Sequence, residues 1–571
     1  MRSILATVLV VGVAAGAGCK NKQAGPGGGS ATGSGAAGAT GGSGGSGGAA
    51  PVATAAGGEV KDLPVVTDCP KSLGGAEKVA RTIKKACGPI QVTSSLEVDG
   101  SLTLEAGVVL KFAADAELSV GYHGPAKLII TGGDAPDQRV VFTSAGDQAA
   151  GVWRGVTLHD GADRSQITGL DVLYAGVDDH AAVTLRDAVD VTFTKSTVQH
   201  AKDTGLATHG KSTFAQFAGN TFADIGKVAV AVDPTTVGTL APGNTFDKDA
   251  FVQVRGGTVG HDATWRNVGA PYHVLDHVYV DTASTPVTLT IADATLAFAP
   301  GIELSIGYHS RGRLRVTGPA VLTGVEATPG SWTGVRVYDE GDAAIDNATV
   351  SAAGKDDGGA IHARGKATLT LGTVTLADNK LGLWVDDEAK LSAAKPLTFR
   401  GNERAAHVGP TVFGALTGAN VYADGQIIDI AAGTVRADVT WAVQAKAAVH
   451  VLGELYVDDR HTLTIAAGGS YAWAAGSQLA VGYHSTGTVK VAGKADAPVT
   501  LTALDKADPW KGIQLYDEAR AADLAYVNLE DVGGDAGVIV RSHATGKLDH
   551  VSCARCAATV HSHCGSRPAG G

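Results

Sequence analysis

Beyond Pro89, apolar and polar residues alternate in short runs, and most runs are closed by Gly, Asp or Asn. Residues 91–98, 101–104 and 108–112 are such runs, parted by Asp99-Gly100 and Ala106-Gly107. Residues 128–131, 140–144, 151–158 and 167–172 continue the pattern. A period of two, rich in Val, Ile, Thr and Leu, predicts short half-buried strands. The strand–turn unit returns roughly every 20 to 25 residues, the range of solenoid coils. Each coil buries its row of Val, Leu, Ile and Ala only when another coil stacks on it. With parallel strands about 4.8 Å apart, roughly 20 coils make a rod on the order of 100 Å long. No segment between strands is long or helical enough for helix-based crossovers as the norm, so an all-β stack is expected.

A larger repeat runs through these strands. Gly121-Tyr122-His123 precedes the strand at 127–132, Gly307-Tyr308-His309 the strand at 314–318, and Gly482-Tyr483-His484 the strand at 489–493. The steps between the three histidines are 186 and 175 residues. Trp153, Trp332 and Trp510 stand 179 and 178 residues apart, each in a Trp-x-Gly-aliphatic setting that suits coil packing. Tyr338-Asp339-Glu340 and Tyr516-Asp517-Glu518 follow the later two, where the first copy has His159-Asp160-Gly161. Trp265 matches Trp441, and Val278-Tyr279-Val280-Asp281 matches Leu455-Tyr456-Val457-Asp458; Leu96-Glu97-Val98-Asp99 heads the first copy. These matches predict three homologous units at 89–277, 278–454 and 455–571.

The segment 59–88 reads differently. Ala76, Val79, Ala80 and Ile83 fall on one helical face, with Lys78, Arg81, Lys84 and Lys85 mostly outside it. A short helix tied by a Cys69–Cys87 disulfide is expected to cap the first coil, whose edge would otherwise be open.

At the start, Met1-Arg2, an apolar run over 4–13 and the small residues 14–18 predict a secretory signal peptide over 1–19. Cys19 resembles the lipidated cysteine of bacterial lipoproteins, although Gly16 stands where their motif has an aliphatic residue. That resemblance implies a lipid anchor at Cys19, and Lys20 after it implies the outer membrane. Residues 20–58 are Gly, Ala, Ser and Thr with few bulky side chains, a flexible linker with an r.m.s. reach of roughly 35 Å.

Composition narrows the partners. A net charge of −11 argues against a nucleic-acid or anionic-membrane surface, either of which needs a basic face. The six cysteines sit at the two ends, as Cys19, Cys69, Cys87, Cys553, Cys556 and Cys564, which suits staples on an exported rod. His550, His561 and His563 in the tail offer zinc ligands, but one disulfide within the tail, with a third cysteine left over, is the expectation. No metal or cofactor is expected, and the chain is read as a monomer.

The residues 102–108 (Leu-Thr-Leu-Glu-Ala-Gly-Val), Phe142-Thr143-Ser144 and the Trp-x-Gly-Val motif resemble bacterial proteins of the pectate-lyase-like superfamily. The resemblance covers the chain from Pro89 onward and implies a right-handed parallel β-helix. It does not imply an activity, because the same coils carry lyases, hydrolases, epimerases and non-catalytic surface proteins. Family hydrolases use clustered aspartates, a Gly-His-Gly and a basic pair. Here Asp178-Asp179-His180, Asp356-Asp357 and Thr208-His209-Gly210-Lys211 are superficial counterparts, and the third copy keeps only Asp535. The aspartates lie in Gly/Asp turns that recur once per copy, so they read as turn residues.

Tyr122, His123, Tyr308, His309, Tyr483 and His484 are the candidate binding residues. Tyrosine is a stacking platform for a sugar or a partner surface, and histidine adds a donor or acceptor. Packing at a shared corner is the competing reading, and the one favoured. The leading expectation is a lipid-anchored, non-catalytic β-helix that binds a glycan or a surface protein at the cell surface or periplasmic face. The alternative is a polysaccharide lyase or glycoside hydrolase. An enzyme is expected to gather several carboxylates and a basic residue in one groove, a binding rod to spread its polar residues along the coils.

Overall fold

The alternating strands wind into a parallel β-solenoid of the right-handed type, with about 20 turns and almost no helix. The computed structural model describes residues 63–282, 285–356 and 358–563. The signal peptide, Cys19, the 20–58 linker, Asp357 and Cys564 lie outside the described residues. Each coil lays down three short strands, one per face. Val109–Phe112 lies on the first face, Glu117–Val120 on the second and Lys127–Thr131 on the third. The next coil stacks on them in register, Val141 beside Val109, Val156 beside Leu118 and Ile167 beside Ile130. Alternate side chains point inward, so Leu110, Leu118, Leu128 and their counterparts form continuous buried rows. Fully burying each such side chain contributes about 1.5–3 kcal/mol before the entropy of ordering is counted.

The tryptophans of the Trp-x-Gly motifs are wholly buried, as coil packing requires. Trp153 stacks on Phe112 at 4.0 Å, Trp332 on Phe298 at 4.2 Å and Trp510 on Trp473 at 4.9 Å. Each indole N–H donates to a backbone carbonyl of the coil that follows, at Leu173 (2.8 Å), Ser351 (2.8 Å) and Glu530 (3.0 Å). Buried amides line one interior bend. Asn379 Oδ1 accepts from Ala353 N at 2.9 Å, Asn402 Oδ1 accepts from Asn379 N at 3.1 Å, and Asn402 Nδ2 donates to Gln426 Oε1 at 3.1 Å. These contacts satisfy backbone groups that the turning chain leaves unpaired.

The helix expected around Ala76–Ile83 does not form. Ser72–Glu77 and Ala80–Ile83 are strands, followed by a single 3-10 turn at Lys85–Cys87. Of the apolar stripe only Ile83 is buried, so a helix there would have had little to pack against. Pairing with Ile90–Val98 and Ser101–Glu105 decides the local structure instead. The segment is itself a first coil, and the Cys69–Cys87 disulfide closes it. No helix among the described residues is long and apolar enough to cross a membrane.

Helix appears in one-turn pieces at Pro234–Val237 and Pro410–Phe413, each taking a strand's place in a coil. They bear on where the Gly-Tyr-His sites fall. From Glu117–Val120, before the first site, to Glu303–Ile306, before the second, the chain adds 21 strands and the helical turn Pro234–Val237, 22 elements that each fill a face, besides two 3-10 turns at Pro136–Gln138 and Asp160–Ala162 in the bends between strands. Since 22 is 7 × 3 + 1, seven full coils are completed and one face is left over. Strand pairing gives the same result. The stack begun by Glu117–Val120 runs through seven parallel pairings to Thr295–Phe298, the strand just before Glu303–Ile306 in the same coil. A second set of 21 strands and one helical turn separates Glu303–Ile306 from Leu479–Val481. The three Gly-Tyr-His sites therefore lie on the second, third and first faces of the solenoid, in that order.

Candidate functional site

At each Gly-Tyr-His the glycine has a structural cause. Gly121, Gly307 and Gly482 hold φ of 76°, 75° and 69°, in the left-handed region that L side chains avoid. The next coil also passes close beneath them: a Cβ on Gly307 would sit 2.5 Å from Gly341 N. The histidine is tied to an aspartate of the preceding coil. His123 Nδ1 lies 3.3 Å from Asp99 Oδ1, and His309 N donates to Asp281 Oδ2 at 2.8 Å. His484 N donates to Asp458 Oδ1 at 3.1 Å. The shared-corner reading thus holds for the glycine and for the histidine, which is tied through its imidazole in the first copy and through its backbone N–H in the other two.

It does not hold for the tyrosines. Tyr122, Tyr308 and Tyr483 are 64%, 52% and 49% exposed. Each stands in a short outward column, which in the second and third copies starts one coil earlier at Tyr279 and Tyr456. Tyr308 meets Tyr338 of the next coil edge-on at 4.8 Å, and Arg364 of the coil after lies over Tyr338 at 5.3 Å. Tyr483 meets Tyr516 at 4.7 Å, and Arg541 lies over Tyr516 at 5.4 Å. Tyr122 meets His159 at 5.0 Å, and Arg186 stands one strand further on, beside His159. Burial holds the His159 imidazole below its ordinary pKa and raises the Tyr338 phenol, which also donates to Glu303 Oε1 at 3.2 Å.

The aspartates singled out by sequence do serve as turn residues. Asp178, Asp179 and Asp356 have φ of 54°, 60° and 56°. Two of them do more. Asp178, Asp179 and His180 converge with His209, Arg186 and Arg255 around a groove of about 340 Å³ on the second face. Its floor is the small outward row Thr184, Ala207, Ala231 of successive coils. Arg255 is held by Asp233 at 2.9 Å, and Asp178 Oδ2 lies 3.8 Å from Arg154 Nη2. Burial, then the charges of Arg255 and Arg186, push His209 below its ordinary pKa. A carboxylate pair, an uncharged histidine and two guanidiniums facing one groove suit an acidic ligand or acid–base work on one.

The structure also assembles a row that sequence reasoning missed. On the third face the residues turned away from the core on successive coils are Arg336, His362, Trp384, His407, Asp429 and His450, in register; Trp384, His407 and His450 are half-buried, while Arg336, His362 and Asp429 are buried by their neighbours. His362 stacks on Trp384 at 4.6 Å and 16°, and Trp384 meets His407 at 4.9 Å. His362 Nε2 lies 3.3 Å from Asp386 Oδ1, Arg404 donates to Asp429 at 2.8 Å, and His450 Nδ1 lies 3.5 Å from Asp429 Oδ1. Burial holds both His362 and His407 below their ordinary pKa. This row stands to the Tyr308 column as the Thr184–Ala231 floor stands to the Tyr122 column, 22 elements earlier. What is hollow beside the first column is filled with imidazole and indole beside the second. The signal was present as apolar-X-apolar triplets: Ile361-His362-Ala363, Leu383-Trp384-Val385, Ala406-His407-Val408, Ile428-Asp429-Ile430 and Val449-His450-Val451.

In the tail, Cys553 and Cys556 are joined in a disulfide. Among the described residues no three His, Cys, Asp or Glu side chains are grouped to hold a metal ion. Compared with protein-family models, with curated proteins and with solved structures, the chain finds no match.

Proposed function

We propose that this chain is an exported, lipid-anchored β-solenoid that binds an extended glycan through outward side chains presented one per coil. The observation that carries the reading is the Arg336–His362–Trp384–His407–Asp429–His450 row, in which buried Arg336, His362 and Asp429 hold in place the half-buried rings of Trp384, His407 and His450, with the exposed Arg404 at their edge. A flat, amphipathic ring such as Trp384 packs on a sugar face while neighbouring polar groups meet its hydroxyl or acid groups. Spread along the coils, these contacts suit a long ligand rather than one reacting bond. The body comprises three homologous units, 89–277, 278–454 and 455–571, with 59–88 closing the first. Cys19 carries the lipid in the outer membrane, and the 20–58 linker holds the body clear of it. A glycan array probed with the full chain tests the reading. Binding that is weakened in Trp384→Ala supports it; a blank array, or hits that Trp384→Ala leaves at full strength, contradicts it. Cys19→Ala is expected to release the protein from the membrane fraction.

One observation favours a second reading, that of a polysaccharide lyase or glycoside hydrolase. The 340 Å³ groove gathers Asp178, Asp179, His209, Arg186 and Arg255, and two carboxylates at suitable separation act as acid and base in glycoside cleavage. A screen on acidic polysaccharides separates the two readings. Product release that disappears in Asp178→Ala would establish the enzyme.

A further inference from the structure

The aromatic columns and the strands beside them have diverged to different degrees. Beside the columns some equivalent positions have lost all resemblance, as Thr157, Arg336 and Gln514 in one set and Thr184, His362 and Ile539 in the next, while others keep it in part, as Ser119, Ser305 and Ala480. Along the columns the chemistry repeats as Tyr122–His159–Arg186, Tyr308–Tyr338–Arg364 and Tyr483–Tyr516–Arg541. The Gly-Tyr-His tyrosines are about half exposed or more, so burial in the core does not explain why they recur. An exposed ring beside a ring, ending in a guanidinium, is a platform for a sugar that carries an acid group.

The three platforms point in different directions. Each set of 22 elements ends one face beyond a whole number of coils, so the columns stand on the second, third and first faces in turn. A straight chain lying along the rod can touch only one of them. We propose that the three columns are separate sites for acidic glycan, and that one molecule holds three glycan chains on three sides and cross-links them. This rests on the glycan-binding reading above, counts the Trp384 row with the middle column beside it as one site, the tightest of the three, and adds the number and direction of the sites.

The test uses the full chain with galacturonate, mannuronate and glucuronate hexamers, too short to wrap from one face to the next along several coils. Titration to saturation should show three hexamers per chain. Tyr122→Ala, Tyr308→Ala and Tyr483→Ala should each remove one site and leave the affinity of the other two unchanged, while Tyr308→Phe, which keeps the ring, should retain all three. Beads coated with the matching polymer should be agglutinated by the native chain and less so by each alanine variant. Fewer than three hexamers per chain would overturn the proposal. So would a single polymer chain whose affinity falls 10²- to 10⁴-fold in every alanine variant, the mark of one ligand gripped at linked contacts; the glycan reading would survive either result. Failure of all three hexamers and of every acidic glycan on the array would remove the glycan reading together with the proposal.

Discussion

Replacing Asn379 by Ala isolates what the buried amides contribute beneath the Trp384 strand. Asn379 is wholly buried; its Oδ1 accepts from Ala353 N at 2.9 Å and its Nδ2 donates to Val350 O at 3.1 Å and Asn402 Oδ1 at 2.9 Å. Alanine leaves the Ala353 N–H without its acceptor and takes a donor from the Val350 carbonyl. One orphaned buried group costs about 1–3 kcal/mol and a lost hydrogen bond about 0.5–1.5 kcal/mol, which together give roughly 2–4 kcal/mol. In a solenoid each coil touches only its neighbours, so the loss should appear locally and not as one global melting shift. Hydrogen exchange is the suitable assay. Amides in the coils over 348–408 should exchange roughly 30- to 1,000-fold faster, at about 1.4 kcal/mol per decade, while those near Leu118 stay unchanged. Lys380→Ala, on the exposed residue alongside, is the control and should lie within about 0.5 kcal/mol of native. Acceleration below threefold in Asn379→Ala would refute the reasoning, because it would mean the bend satisfies those backbone groups without the amide.

Further outcomes follow from the same geometry. Gly307→Ala meets both a positive φ of 75° and Gly341 N at 2.5 Å, whereas Gly425→Ala meets a φ of 77° and open space. Urea denaturation should therefore show Gly425→Ala losing about 1–2 kcal/mol from backbone strain alone and Gly307→Ala losing more. His362 and His407 have folded pKa values below the unfolded value of about 6.5. Below that pH the unfolded chain takes up protons the folded chain refuses, so their contribution to stability is lost as pH falls from 7 toward 5. His362→Gln should flatten that slope in the urea midpoint, with the charges of Asp386, Arg336 and Arg364 beside it unchanged. Cutting the Cys69–Cys87 bond, which closes a separation of 18 residues, should expose the first coil to proteolysis and leave the remaining coils protected, since the bond constrains only its own loop.

The sequence made the architecture legible because strand alternation and tight turns are local signals, and stacking multiplies them coil after coil. Val183, Leu206 and Val230 are unremarkable singly; 23 and 24 residues apart, they repeat at the coil spacing and form one buried row. The Trp-x-Gly motif was equally readable as core packing. At the first coil the reading failed because Ala76, Val79 and Ala80 mimic a helical stripe with side chains too small or too exposed to anchor one. The functional surface was harder still. A single outward residue per strand, such as Trp384 or His407, looks like ordinary variation until register sets six of them side by side. The direction of the three Gly-Tyr-His sites was hidden for another reason: near-constant spacing suggests a common face, and only the remainder left by 22 elements over three faces shows that they diverge.

The most direct test is a binding titration and a product assay run together on the best acidic glycan of the array, with native protein, Trp384→Ala and Asp178→Ala. A solenoid that binds through its outward row should hold the glycan without shortening it, lose affinity roughly 10- to 100-fold in Trp384→Ala, as expected of a stacked aromatic anchor worth about 2 kcal/mol, and keep it in Asp178→Ala. Shortened glycan that vanishes in Asp178→Ala, with binding undiminished in Trp384→Ala, would contradict it.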